Sequence, residues 1–180
     1  KQYLDQPLPV RRRHAVPYEV FRIEDYESRY HAILVFALQG ALSIATSVNP
    51  STVVLLATRL QERADVLLDD LAAGRLAHAP ALNDRERAVL ERRLRPQPVR
   101  ARTLRERFRA DGALLPRTVW PELSVLNTWQ GGSAPFYLEQ VEAAWGPVPR
   151  RCLGLRASEG TFSIPLDDNV ASGVLAVGGP

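Results

Sequence analysis

The sequence predicts an α/β fold in which a mixed sheet is flanked by helices. Apolar runs rich in β-branched residues alternate along the chain with stretches whose apolar residues repeat at helical spacing. The 180 residues are 46% hydrophobic, which suffices for one sizeable core. No internal repeat or low-complexity linker interrupts the pattern. We therefore assign residues 14–180 to part of a single α/β domain and residues 1–13 to an irregular lead-in.

The first predicted elements are a short strand, a helix and a second strand. The period-two pattern of "AVPYEVFRIED" predicts the first strand. "YESRYHAILVFALQG" predicts the helix, with Tyr30, Ile33, Leu34 and Leu38 on one side and Gly40 near its end. "ALSIATSV" is rich in β-branched residues, which is typical of a buried strand.

A long helix is predicted to follow this second strand directly. Asn49 is a plausible N-cap, Pro50 suits the first helical position, and Gly74 suits the C-terminal stop. Between them, apolar residues repeat at helical spacing at Val53, Leu56, Leu60, Ala64, Leu67 and Leu71. A strand that feeds a helix through a short loop is an α/β unit, and ligands of open α/β sheets bind at such loops.

The second half of the chain continues the alternation. "LNDRERAVLERRL" predicts a helix capped by Asn83 or Asp84, "RPQP" ends it, and "VRARTLRERFRADG" predicts another helix that stops at Gly112. "WPELSVLNTWQGGS" predicts a strand entering a glycine turn, "APFYLEQVEAAWG" a helix and "VPRRCLGL" a strand. "GTFSIPL" and "SGVLAVGG" predict further strands.

Composition excludes several classes of protein. Lys1 is the only lysine, which excludes a Walker-type phosphate loop and a Schiff-base lysine beyond residue 1. One cysteine, Cys152, cannot form an internal disulfide, so we expect a cytoplasmic protein. Neither a membrane-length apolar run nor a signal-peptide pattern is present. Because the chain starts at Lys1 and contains no Met, we expect it to be a piece from the middle of a longer protein.

The net charge of +3 is unevenly distributed. Residues 84–109 contain ten arginines and four acidic residues, a local charge of +6. We interpret this segment as solvated helices with interleaved acids. A surface for an anion, a nucleic acid or another domain is the alternative interpretation.

The remaining polar and aromatic candidates are predicted to be structural. His14, His31 and His78 lack the spacing of metal ligands, and His31 is expected to pack within its helix or lie on its surface. Both acidic pairs are expected to be solvated, and the cysteine and tryptophans to belong to the core. These residues are Asp69, Asp70, Asp167 and Asp168, and Cys152, Trp120, Trp129 and Trp145.

Two loops stand out because each follows a predicted strand. One is Trp129-Gln130-Gly131-Gly132-Ser133 and the other is Ala157-Ser158-Glu159-Gly160. Glycine pairs let a backbone approach a ligand closely, a serine hydroxyl can bind a phosphate oxygen, and a glutamate can hold Mg²⁺. Since the two strands follow each other along the chain, we expect both loops to open onto one crevice.

Together with their surroundings, these loops give a specific resemblance. "WPELSVLNTWQGGSAPFYLEQVEAAWGPVPRRCLGLRASEGTFSIPL" resembles the auxin-responsive acyl acid–amido synthetases, the Gretchen Hagen family, and is most similar to bacterial members. The upstream "YHAILVFALQGALSIATSVNPSTVVLLATRLQERADVLLDDLAAGRL" fits the same family, so the resemblance covers about residues 14–180. It implies part of the large N-terminal domain of an adenylate-forming ligase, truncated at both ends. In that family a carboxylic acid attacks the α-phosphorus of ATP, pyrophosphate leaves, and an amine, usually an amino acid, traps the acyl adenylate.

The resemblance also implies roles for the residues of the first loop. Gly131, Gly132 and Ser133 match the family's adenine-side loop. Asn49 begins a helix that matches the family near the acyl pocket only loosely, so we assign it no catalytic role.

The second loop matches the family's second ATP motif. Leu155, Ala157 and Ser158 are thereby expected to bind the nucleotide. Ser158 is expected to contact the α-phosphate region, and Glu159 to face ATP and Mg²⁺, which makes both catalytic candidates. Plant members commonly have tyrosine where this chain has Leu155, which leaves less aromatic contact for the base.

The family pattern implies that this chain holds about half of an active site. The phosphate loop would precede Lys1, and the ribose-binding aspartate and the lid lysine would follow Pro180. The expected partners are therefore the missing parts of the same polypeptide, besides the acid and amine substrates. The alternative function is a non-catalytic remnant or binding module of the same fold that uses residues 84–109 for a partner. We do not expect that partner to be a nucleic acid, or the chain to bind a membrane.

Overall fold

A computed structural model describes residue 7, residues 13–157 and residues 160–177. It confirms the α/β class. The chain forms two compact units: unit 1 comprises Lys1–Ala41 and Arg59–Leu114, and unit 2 comprises Leu42–Thr58 and Leu115–Pro180. The assignment of residues 14–180 to one domain stays a prediction. Among the described residues, no helix is long and apolar enough to cross a membrane.

The first described element of unit 1 is a 3₁₀ helix at Tyr18–Arg22, so the strand predicted there is wrong. Its backbone hydrogen bonds are those of a turn, since the N–H of Val20 donates to the carbonyl of Pro17 at 3.1 Å. The buried residues Val20 and Ile23 lie three apart, which is the spacing of a helical turn rather than of a strand. The period-two pattern therefore did not reflect the burial of side chains.

Most helices of unit 1, and α2, which the boundary between the units crosses, start and stop at residues that the sequence indicates. Helix α1, Tyr26–Leu38, begins after Asp25, whose carboxylate accepts a hydrogen bond from the Ser28 N–H at 2.7 Å. The helix predicted over residues 49–74 is interrupted at Arg63, giving α2, Pro50–Glu62, and α3, Ala64–Ala73. Gly74 ends α3 with a φ of +66°, as predicted. The division between the two units falls inside α2, after residue 58.

The arginine-rich segment forms helices α4, Asp84–Glu91, and α5, Pro98–Asp111. Asn83 rather than Asp84 is the cap of α4, because its side chain accepts a bond from the Glu86 N–H while the Glu86 carboxylate accepts one from the Asn83 N–H. Gly112 ends α5 with a φ of +70°, as predicted.

Unit 2 is built on a three-stranded parallel sheet in the order β1, Ile44–Thr46, then β2, Val125–Asn127, then β3, Arg150–Arg151. Ile44 pairs with Val125 and Leu126 with Arg150. The prediction that β1 is buried is wrong, since Ile44 is 58% exposed. As an edge strand of the described sheet, β1 has a neighbour on one side only. The antiparallel pairing expected of a mixed sheet lies instead in separate two-stranded sheets.

Those small sheets pair β4, Arg156–Ala157, with β5, Gly160–Thr161, and β6, Ser163–Ile164, with β7, Val174–Leu175. Within the described part of the chain, the first part of α2 and two further helices complete unit 2. The short α6, Pro116–Val119, was not predicted, whereas α7, Pro135–Trp145, follows β2 as predicted.

Two of the three tryptophans anchor the core of unit 2, as predicted. Trp120 and Trp145 are buried and stack with ring centroids 5.9 Å apart. Trp145 also donates its indole N–H to the Val53 carbonyl of α2 at 3.2 Å. Cys152 is 2% exposed, which confirms it as a small core residue. These contacts fasten the C-terminal end of α7 to α2 and to Trp120.

Candidate functional site

The carboxyl ends of the three parallel strands bring their loops to one edge of the sheet. The backbone pairing continues past the strands, since the Ser47 N–H donates to Asn127 at 3.0 Å and the Thr128 N–H donates to Arg151 at 3.1 Å. Neighbouring strands lie about 5 Å apart. The structure therefore brings the ends of β2 and β3 side by side. That the loops at 129–133 and 157–160 open onto one crevice stays a prediction.

The loop after β2 is fastened to both neighbouring strands before it reaches its glycines. The Trp129 N–H donates to the Val48 carbonyl at 3.0 Å. The amide of Gln130, which is buried, donates to the Arg150 carbonyl at 2.9 Å. Two bonds on opposite sides hold residues 129 and 130, so the turn at 131–133 starts from a fixed base.

The two glycines of this loop are required for different reasons. A Cβ at Gly131 would lie 3.2 Å from the Trp129 ring, which is tight packing within the protein itself. Gly132 has a φ of +59° and no heavy atom within 4 Å of a Cβ position, so the space beside it is open. Ser133 is exposed. The sequence analysis expected a ligand to approach the backbone closely at both glycines, and the structure leaves open space beside Gly132 but not beside Gly131.

The start of α7 uses its own backbone donors internally. Ala134 donates to Gly131 at 3.1 Å, Phe136 to Ser133 at 3.3 Å and Tyr137 to Ala134 at 2.9 Å, while Pro135 has no N–H. A helix start binds a phosphate through free N–H groups. The arrangement therefore suits an uncharged part of a ligand better than a phosphate.

The second loop leaves β3 through a turn that only glycine permits. Gly154 has a φ of +73°, and a Cβ there would collide with the Ser163 carbonyl oxygen. Leu155 is 54% exposed; its N–H donates to the Ser163 hydroxyl at 2.9 Å, and its carbonyl accepts from Phe162 at 2.8 Å. These bonds hold the base of the β4–β5 hairpin, so the aliphatic side chain of Leu155 is presented at its start.

The hairpin strands pair Ala157 with Gly160. Ser158 and Glu159, the predicted catalytic residues and Mg²⁺ ligand, lie outside the described residues. Within the described part of the chain, no group of three or more His, Cys, Asp or Glu side chains is arranged to hold a metal ion.

A buried polar cluster in unit 1 was missed by the sequence analysis. Asp70 is 1% exposed, so the prediction that this residue is solvated is wrong. Its Oδ2 lies 2.8 Å from His31 Nε2 and 3.1 Å from the His78 N–H, and its Oδ1 lies 3.0 Å from His78 Nδ1 and 3.2 Å from the Ala77 N–H. His31 is also buried, which agrees with the predicted packing role.

Burial raises the pKa of Asp70, but hydrogen bonds from His31 and His78 outweigh that effect and leave its pKa below the ordinary value. The carboxylate is therefore ionised and both imidazoles donate to it. One signal in the sequence could have identified this residue. Asp70 lies three residues after Leu67 and so next to the apolar stripe of α3, whereas Asp69 points outward and pairs with Arg105.

Several arginines of residues 84–109 form hydrogen bonds or ion pairs within unit 1. Arg87 donates to the carbonyls of Leu76, Ala79 and Leu82, and Arg100 donates to those of Leu38 and Gly40. Burial and the charge of Arg107 lower the pKa of Arg100. Two more arginines form ion pairs, Arg93 with Glu19 and Arg105 with Asp69. These bonds support the interpretation of solvated, structural helices; a partner surface stays a prediction.

Comparison with known proteins gives one family and two similar structures. Residues 3–150 match the model described as the GH3 family N-terminal domain. A solved structure of "GH3.15 acyl acid amido synthetase" has a TM-score of 0.74 at 16% identity, and the match covers 90% of this chain and 29% of that one. A second, "AtGH3.15 acyl acid amido synthetase in complex with 2,4-DB", has a TM-score of 0.63 at 17% identity over 75% of this chain and 24% of that one. No curated protein sequence matches the chain. At these identities the structures show a shared fold, and the chain spans less than a third of their length.

Proposed function

The chain belongs to the GH3 family, and from this premise we propose that it is the central part of an acyl acid amido synthetase. Such an enzyme would activate a carboxylic acid with ATP and transfer the acyl group to an amine, such as an amino acid. The observation that carries the proposal is the family match over residues 3–150, supported by the similar fold of a solved acyl acid amido synthetase. The same proposal includes a carboxylic acid and an amine as substrates and a cytoplasmic location for the protein.

The loop after β2 fits the adenine side of ATP in this proposal. Space beside Gly132 is open, and the backbone donors at the start of α7 are already bonded within the turn. A base offers a flat and uncharged face, so it needs open space near a fixed backbone more than free N–H donors. Leu155, exposed at the start of the second loop, would add apolar contact from the neighbouring strand.

Ser158 and Glu159 are proposed to act at the phosphates. The serine hydroxyl would donate to an oxygen of the α-phosphate region, and the glutamate carboxylate would be a ligand of Mg²⁺. When bound, Mg²⁺ would neutralise the charge that develops on the phosphates as the carboxylate attacks and pyrophosphate leaves. The protein itself would hold the acid and ATP in line for that attack.

The test is ATP-dependent release of pyrophosphate by the complete protein that carries this chain. A panel of carboxylic acids is assayed with and without amino acids, and at least one acid is expected to give turnover. The variant Glu159→Gln keeps the size of the side chain but loses its charge, so the adenylation rate should fall at least about 100-fold, or about 2.7 kcal/mol of barrier.

The matched control is Glu139→Gln, which removes a charge from an exposed position of α7 and should leave the rate unchanged. Absence of pyrophosphate release with every acid would refute the proposed activity. Turnover with unchanged rate and Mg²⁺ dependence in Glu159→Gln would remove this residue from the mechanism while leaving the activity in place.

A further inference from the structure

Helix α7 carries a stripe of apolar side chains that emerges from the core at its first turn. Tyr137, Val141 and Trp145 lie four residues apart and therefore on one side of the helix. Val141 is 1% and Trp145 is 5% exposed, whereas Tyr137 is 38% exposed. The stripe that packs in the interior of unit 2 thus ends in a partly exposed aromatic ring at the carboxyl edge of the sheet.

The direction of the helix points this ring at the loop after β2. Side chains on a helix lean towards its N-terminus, and the residues before the N-terminus of α7 are Gly131–Ala134. The N–H of Tyr137 donates to the Ala134 carbonyl at 2.9 Å, which fixes the backbone of Tyr137 to the same turn. The side chain of Tyr137 therefore leans towards the turn that contains Gly132.

The two loops offer little other flat surface. Gly132 has no side chain, Leu155 is aliphatic, and the Trp129 ring packs against Gly131. Phe136 is 80% exposed but lies about 100° further round the helix, away from the stripe of Tyr137. Among the described residues next to Gly132, Tyr137 is therefore an aromatic residue whose backbone position and exposure both suit a ligand.

We propose that the ring of Tyr137 is the surface on which the adenine of ATP stacks. The inference rests on the proposed function, because it assumes that ATP binds at this edge of the sheet. Stacking of a base on an aromatic side chain contributes about 1–3 kcal/mol, or roughly a 5- to 150-fold change in affinity. Loss of the ring should therefore appear mainly in the KM for ATP.

The experiment measures pyrophosphate release against ATP concentration in the complete protein, at a saturating concentration of the best acid. Tyr137→Leu keeps an apolar side chain but removes the ring, and its KM for ATP should rise at least about fivefold. Tyr137→Phe keeps the ring and should retain a KM within about twofold of the unsubstituted protein. Phe136→Leu is the control for loss of a neighbouring exposed ring and should leave the KM unchanged.

Each result has a defined meaning. An unchanged KM in Tyr137→Leu refutes the inference, and so does an equal increase in Phe136→Leu. A variant Trp129→Leu that raises the KM while Tyr137→Leu does not would assign stacking to Trp129 instead. Melting temperatures of all variants show whether a raised KM follows from misfolding. If Tyr137→Leu is misfolded, the affinity of the Tyr137→Phe protein for ATP is measured by titration, and a loss of more than about twofold refutes the inference. Absence of turnover in the unsubstituted protein is the separate failure of the proposed function.

Discussion

The substitution Asp70→Asn should destabilise the protein far more than its small size suggests. Asp70 accepts four hydrogen bonds, two at each oxygen, and each oxygen faces one imidazole and one backbone N–H. The amide of asparagine replaces one of these oxygens by a donor. An imidazole can change its tautomer and accept from that donor, but a backbone N–H cannot.

Whichever way the asparagine amide is oriented, one partly buried backbone N–H, of Ala77 or His78, therefore loses its acceptor. That loss costs about 1–3 kcal/mol, and the bonds that remain lose the assistance of a charge. We expect a decrease of about 3 kcal/mol in the free energy of unfolding. With a typical urea dependence of about 2 kcal/mol per molar, the unfolding midpoint should fall by about 1.5 M.

The neighbouring Asp69 provides the control. Its side chain is 59% exposed and pairs with Arg105 at 2.7 Å, so Asp69→Asn should change stability by at most about 1 kcal/mol. Urea unfolding of the two variants, followed by circular dichroism, compares them directly. Equal midpoints for Asp70→Asn and Asp69→Asn would show that the buried carboxylate does not stabilise unit 1 in the way its hydrogen bonds indicate.

Three further predictions follow from the described geometry and a fourth from the family resemblance. The folded-state pKa of Asp70 is depressed, so its contribution to stability is full above the ordinary pKa of 3.8 and is lost as pH falls through the folded-state pKa. The difference in free energy of unfolding between the protein and Asp70→Asn should therefore narrow below about pH 4, and a constant difference contradicts this. Gly132→Ala strains a φ of +59°, so thermal melting should report a loss of about 1 kcal/mol, whereas unchanged melting would mean that the turn adapts. Trp145→Phe removes the hydrogen bond to Val53 and part of the ring stacking, so the free energy of unfolding measured in urea should fall by about 1–3 kcal/mol. A smaller decrease would show that this core contact contributes little to stability. The isolated 180-residue chain should release no pyrophosphate above a Ser158→Ala control, and measurable turnover would refute this.

The helices of unit 1 could be predicted because their signals are local. Asn83 with Glu86 forms a capping box, and Gly74 and Gly112 stop their helices. Each signal depends on residues within a turn or two of the helix end. The sequence alone therefore determined where these helices begin and end, apart from the interruption at Arg63.

The position of the candidate site was predictable only in outline. Glycine and serine after a strand predicted a ligand loop at 129–133, and the order of strands predicted that a second loop would lie near it. The tertiary structure decided which glycine faces open space, because Trp129 packs against Gly131 but not Gly132. It also decided that Tyr137 is partly exposed, whereas Val141 and Trp145 on the same side of the helix are buried.

The remaining features depend on residues that are distant in the sequence. Ile44 pairs with Val125, so both the parallel sheet and the exposure of β1 depend on which strands pair. Asp70 is buried because α1 supplies His31 and the loop after α3 supplies His78. Local patterns determine caps and helical faces, whereas strand neighbours and buried polar bonds are set only when distant segments pack together, and for that reason the tertiary structure alone decided them.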